Sequence, residues 1–250
     1  MTKSIDKRLL GLFVISLALL SFLFSLDPIP QDPLYHLFAD RRSLLFFPNT
    51  WDVLSNIPFL IVGLTGMKLV AHSGVKQHVQ YFIFFTGVAL TALGSAWFHL
   101  SPDNDSLIWD RLPMTVAFMA LFSSIIYECI SKQVGRNLLL PFLVLGVFSV
   151  LYWALTEQSG QGDLRFYIMV QFLPMILIPL ILVLYRPKKD YMIYVLALIV
   201  FYICSKAFEY FDQDIFELTG LVSGHTLKHL SAATGTAMIL SLFSQRYTQA

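Results

Sequence analysis

His225 and His229 stand four residues apart, and on a helix that spacing projects both rings from one face, about one turn apart. Two imidazoles so placed can bind one metal ion. A third, His99, is preceded at the same four-residue interval by Ser95, which sets a hydroxyl one turn below the ring. Asp110 follows a short polar loop, Ser101 to Ser106, that can fold it back toward His99. Three neutral imidazoles leaving a fourth position open to water make a catalytic zinc arrangement. Zinc so held lowers the pKa of its water to about 7 and polarises a carbonyl. Asp110 is then expected to act as general base toward the water and as acid toward the leaving group. Ser95 is expected to hydrogen-bond the water or the developing oxyanion.

Each of these residues also has a plainer reading. A His-x3-His pair arises by chance on helices, and His99 alone reads as a helix-end histidine bonded to a carbonyl. Asp110 alone reads as a cap at a helix start, where carboxylates are favoured. Ser95 alone reads as a small packing residue bonded to its own helix. The metal reading depends on whether the chain can bring these residues together, which is a question about the elements that carry them.

Of the 250 residues, 56% are hydrophobic and only 13% charged, whereas a soluble domain carries roughly a quarter charged residues. The deficit points to lipid as the main solvent. The net charge of +1 comes with no basic run, so no nucleic-acid partner is expected. Cys129 and Cys204 lie in apolar stretches and read as small core residues, neither a disulfide framework nor a thiolate metal site. A bilayer core of about 30 Å takes roughly 20 apolar residues per helix. Eight stretches qualify: about 9–26, 53–71, 79–100, 112–130, 138–155, 165–185, 191–211 and 222–243. The first resembles a signal peptide but is too long for one and lacks a small-x-small site before Asp27, so a retained anchor helix is expected. Short connections make one transmembrane domain over 1–250, an all-α polytopic bundle.

Placing the N-terminus in the cytoplasm puts eleven Lys and Arg residues on that side (Lys3, Lys7, Arg8, Lys68, Lys76, Lys132, Arg136, Arg186, Lys188, Lys189 and Arg246). Only Arg41, Arg42, Arg111 and Arg165 fall opposite. That bias predicts eight spans with both termini cytoplasmic. It also places Gly94–His99, Trp109–Met114 and Gly224–His229 together on the non-cytoplasmic side.

The ordered set Ser95-x3-His99, Asp110 in Asp-x2-Pro-Met, and His225-x3-His229 resembles the alkaline ceramidase family, within the superfamily that includes the adiponectin and progestin receptors. Asn49-Thr50-Trp51-Asp52-Val53-Leu54-Ser55-Asn56 is similar to the stretch entering that family's first conserved helix. The resemblance runs from about Asn49 to the C-terminus. It implies a seven-helix core over 49–245, with the 9–26 helix as an extra. It further implies zinc on His99, His225 and His229, with Ser95 and Asp110 around the water. The implied reaction is hydrolysis of the amide of ceramide to a fatty acid and a sphingoid base. Two departures stand out. The extra helix is one; the other is Ala39-Asp40-Arg41-Arg42 where the eukaryotic ceramidases carry an acidic calcium-binding stretch, which argues against a calcium site and against close identity of substrate. The short chain and simple loops suit a bacterial inner-membrane member.

Intramembrane charges outside these motifs also need explaining. Lys206, Glu209 and Asp212 recur at intervals of three. The first two can pair, and either acid can orient a ligand histidine through its second ring nitrogen. Lys228 reads as facing away from the histidines, either snorkelling to the interface or meeting a headgroup. Arg42 and Arg111 read as solvated loop charges or as attractors of an anionic headgroup. Ser55 and Asn56 can bond to helices near the site, and Glu128, toward the other end, reads as structural. The leading expectation is a membrane-embedded zinc amidohydrolase acting on a ceramide-like N-acyl lipid that enters sideways from the bilayer. The alternatives are a non-enzymatic receptor or lipid-binding protein with a structural zinc, and a transporter relaying protons through Lys206, Glu209 and Asp212. The last lacks visible inverted repeats.

Overall fold

A computed structural model describes residues 6–44, 47–74, 76 and 78–247; Lys3, one of the charges counted above, lies outside them. Helix α1 (Lys7–Ser25) starts at Asp6, whose carboxylate accepts from the Arg8 amide at 2.9 Å. Of its side chains only Leu12 is buried. Leu9, Phe13, Val14, Leu17 and Phe22 are exposed, as suits a helix solvated by lipid. A strap then runs across one end of the molecule, with a 3-10 turn at Pro33–His36.

Helices α2 (Thr50–Leu54) and α3 (Ile57–Ser73) are one membrane-length segment broken at Ser55–Asn56. Pro58 causes the break, because it lacks an N–H and its ring crowds the preceding turn. The Asp52 carbonyl at the break accepts from Ser55 Oγ at 2.9 Å and Asn56 Nδ2 at 2.8 Å, so a polar group freed within the bilayer stays satisfied.

Then follow α4 (Val79–Leu100), α5 (Asn104–Cys129), α6 (Lys132–Gln158), α7 (Arg165–Tyr185), α8 (Lys189–Tyr210), α9 (Asp212–Thr219) and α10 (Gly224–Tyr247). Among the described residues, seven helical segments are long and apolar enough to cross a membrane. α10 has the length, at 24 residues, but its first turns carry His225, Lys228 and His229 and it is not among the seven. With it, the described residues hold the eight bilayer-length segments expected, in an all-helical bundle. α9 was not anticipated; it is a short helix between α8 and α10. α1 runs antiparallel to α7: Phe24 meets Phe166 edge-on at 4.9 Å, and Tyr185 Oη lies 3.4 Å from Asp6 Oδ2 at the other end.

One expected boundary is corrected. Asp110 does not start a helix, because α5 begins earlier at a capping box in which Ser106 N donates to Asp103 Oδ1 at 2.6 Å and Asp103 N donates to Ser106 Oγ at 3.1 Å. A reciprocal box satisfies two orphan amides and outcompetes a single downstream carboxylate. Asp110 is thereby free for other work, with Pro113 inside the helix behind it.

The turn Ser101–Asp103 folds α5 back along α4. Their close approach depends on Gly94, where an added Cβ would collide with the Trp109 carbonyl and lie 3.2 Å from the Asp110 amide. Gly94→Ala is therefore expected to cost on the order of 1–3 kcal/mol through overpacking. The measurement is a melting curve in detergent beside Gly11→Ala, whose Cβ meets nothing within 4 Å and which should leave the melting point unchanged.

Candidate metal centre

Two helix ends meet under the strap. His99 lies in the last turn of α4, and His225 and His229 in the first two turns of α10; all three are buried. Their ring centroids are 4.8, 4.9 and 4.8 Å apart pairwise, and each offers a ring nitrogen within 4.8 Å of the others. His99 Nε2 and His229 Nε2 are 3.3 Å apart. Two nitrogens bound tetrahedrally to zinc at about 2.0–2.1 Å lie about 3.3–3.4 Å apart, so this pair is at ligand spacing, and the three together could hold a metal ion.

The ring of His229 is oriented from α2–α3. Ser55 Oγ donates to the Asp52 carbonyl at 2.9 Å and accepts from His229 Nδ1 at 2.7 Å. With its proton on Nδ1, His229 presents an unprotonated Nε2 toward His99. This is the work that the sequence reading gave to Glu209 or Asp212, and neither does it. Groups that orient ligand histidines raise metal affinity about 10- to 100-fold. Ser55→Ala is expected to weaken metal binding by that factor, read by competition with a chromogenic chelator, and Ser55→Thr to recover most of it.

The rest of α2 braces the same cluster. Asn49, left-handed at φ 48°, donates from Nδ2 to the His99 carbonyl at 2.8 Å. Asp52, fully buried, accepts from Thr226 Oγ1 at 2.7 Å and Ser223 Oγ at 3.3 Å. Asp212 at the start of α9 accepts from the His225 amide at 2.7 Å and from the Ala39 amide at 3.0 Å. Sequence reasoning missed Asn49 and Asp52 as bracing residues. Their spacing with Ser55, three and three, was the available sign that one helical face points at the site.

Ser95 and Asp110 are buried hydrogen-bonding neighbours. With His229 they line the polar end of a cavity of about 430 Å³, whose remaining wall includes Phe59, Phe84, Val88, Phe118, Leu121 and Met175. That volume and lining suit a small apolar molecule or an acyl chain. Lys228 does not snorkel outward: it is half-buried and turned inward, with Nζ 2.5 Å from Glu209 Oε1 and 3.4 Å from His225 Nε2. Glu209 also binds Lys206 at 2.6 Å and Tyr35 Oη at 3.3 Å. Arg111 is buried as well, not a solvated loop charge.

Residues 46–247 match the model of the ceramidase family. The chain belongs to the ceramidase family. No curated protein matches the sequence. The matched span takes in the three histidines, Ser95 and Asp110 and leaves out α1 and the strap, so this chain roofs its histidines with residues from outside the matched region. Phe38 packs edge-on against His99 at 4.6 Å and against His225 at 4.9 Å. The strap is held by Ala39 on Asp212, and by Arg42, which donates to Asp40 at 2.6 Å and to the Leu221 carbonyl at 2.6 Å.

Burial pushes the Asp40 carboxyl up, but hydrogen bonds from Arg42 outweigh it and hold the group below the usual 3.8. Its contribution is complete above that value and is lost as pH falls through the lower folded pKa. Proteolysis within 27–44 is expected to accelerate on acidification through that window, and Arg42→Gln is expected to abolish the acid dependence.

Proposed function

We propose that the protein is a membrane-embedded, zinc-dependent amidohydrolase that cleaves ceramide-like N-acyl lipids. The observation that carries this reading is the buried triad of imidazoles at ligand spacing, placed beside Asp110 and Ser95 at the polar end of an apolar cavity. Membership of the ceramidase family supports it. His99, His225 and His229 would hold the ion, which supplies Lewis acidity to a water and to the amide carbonyl.

The chain's own residues then do the following. The cavity wall takes the acyl chain and positions the amide at the histidine end. Asp110 accepts a proton from the attacking water, and the Ser95 hydroxyl steadies that carboxylate or the oxygen that gains charge at the carbonyl carbon. As the C–N bond breaks, Asp110 returns the proton to the leaving amine. A fatty acid and a free amino lipid result. The Phe38 roof and the surrounding apolar core keep bulk water out, which strengthens each of these interactions. A set of three histidine donors near a carboxylate favours catalysis over a merely structural ion, which would prefer a closed four-ligand shell.

The charge bias supports cytoplasmic termini with the centre on the opposite side; a reporter fused to the C-terminus tests it. The function is tested by incubating metal-loaded protein with N-acyl sphingoid lipids and other N-acyl lipids and measuring released fatty acid. Metal-dependent release supports the proposal. Stoichiometric zinc with no release from any amide would leave a lipid-binding receptor instead.

A further inference from the structure

We propose that Arg111, Lys206 and Lys228 form an anion-binding subsite in the cavity wall, so that the preferred N-acyl lipid carries a phosphate-, sulfonate- or carboxylate-type group at its polar end. The inference rests on the amidohydrolase reading for the word substrate, but the subsite stands on its own geometry. All three cations line the same cavity as Asp110 and His229.

Arg111 is the clearest sign. It is 4% exposed, and among the described residues no carboxylate lies within ion-pair distance of it. Its guanidinium carbon sits 4.3 Å from the Trp153 ring and 4.6 Å from that of Tyr167. Nη2 donates to Gln31 Oε1 at 2.6 Å, and Nη1 makes no hydrogen bond. Aromatic faces offset part of the charge, but a buried donor without an acceptor is unfavourable.

The carboxylates nearby are committed elsewhere. Glu209 alone is shared by Lys206 and Lys228. Glu157 accepts from Trp153 Nε1 and the Gln31 amide, both at 3.1 Å. Asp32, at the exposed mouth, accepts from the Leu34 amide. Asp110 is the remaining carboxylate, and the proton transfers require it. Tyr35 joins the groups: its ring centroid is 5.6 Å from the Arg111 guanidinium carbon and 5.9 Å from Lys228 Nζ. One buried cation, Arg111, and two half-buried ones, Lys206 and Lys228, thus face Glu209 and Asp110 across the cavity, before any metal is counted. An anionic oxyacid group would supply the missing acceptors, and a guanidinium is well shaped to receive one.

The test measures binding, free of turnover and of direct anion–metal contact, on the full chain after chelation in neutral detergent. The probes are N-palmitoyl sphinganine and N-palmitoyl sphinganine 1-phosphate, with hexadecanol and palmitate as the pair for a product carboxylate. The phosphate-bearing lipid is expected to bind at least about 10-fold tighter than its neutral counterpart, as charge-assisted hydrogen bonds allow. Arg111→Gln and the more exposed Lys206→Met should each shrink that ratio severalfold. Equal affinities in the wild type overturn the proposal, as does a ratio unchanged in both variants. Palmitate favoured over hexadecanol, with no preference between the two N-acyl lipids, would assign the cations to the released acid and overturn the headgroup assignment. Failure of the hydrolase reading shows separately, as absent amide cleavage of either lipid by metal-loaded protein.

Discussion

Replacing His225 and His229 together by alanine is expected to remove the metal and all metal-dependent turnover. Both nitrogens come from α10, so the double variant leaves His99 as the lone imidazole of the set, and one ligand does not hold zinc against a chelator. The effect can be read without any substrate. An ion that binds only the folded chain stabilises it by RT ln(1 + [L]/Kd), about 4 kcal/mol at a thousandfold excess over Kd. Wild-type protein should therefore melt several degrees higher with zinc than after chelation. The double variant should show one melting point under both conditions and carry no stoichiometric zinc. A variant that retained a full equivalent of zinc would refute the centre.

Asp110→Asn is expected to separate binding from chemistry. The amide is nearly isosteric with the carboxylate and can still bond to Ser95, so the wall beside the histidines keeps its shape and the metal should stay. What disappears is a group that can accept a proton and return it. General acid–base catalysis contributes about 10²- to 10⁴-fold, and kcat for amide cleavage should fall by that order while KM changes little. Full metal content with nearly normal turnover would remove Asp110 from the mechanism. Loss of metal in the same variant would make it structural. Ser95→Ala should fall between, since it withdraws one hydrogen bond and no proton acceptor.

How far the site was legible from sequence follows from where each residue's partner lies. His225 and His229 were visible because their relation is local: four residues on a helix fix a shared face. His99, Ser95 and Asp110 came within reach through alternation of spans, which sets depth and side. Ser55 was noted only as a residue able to bond near the site, because its partner His229 is 174 positions away and on a different helix. Lys228 was misread for the same reason. Its intended surroundings look lipid-exposed from α10 alone, and the carboxylate that buries it comes from α8. Arg111 was taken for a loop charge because α5 was expected to begin at about 112, and the Asp103–Ser106 box moved that start eight residues earlier.

The sequence by itself determined the solvent, the helical class, the alternation of spans and the three imidazoles, because burial of apolar length in lipid and side-chain periodicity are properties of contiguous residues. Only the tertiary structure decided the rest: that the three imidazoles gather within reach of one ion, that Ser55 at the α2–α3 break orients one of them, that the strap closes over them, and that three cations face the cavity. Those outcomes depend on which helix faces which, and packing across long separations sets that choice.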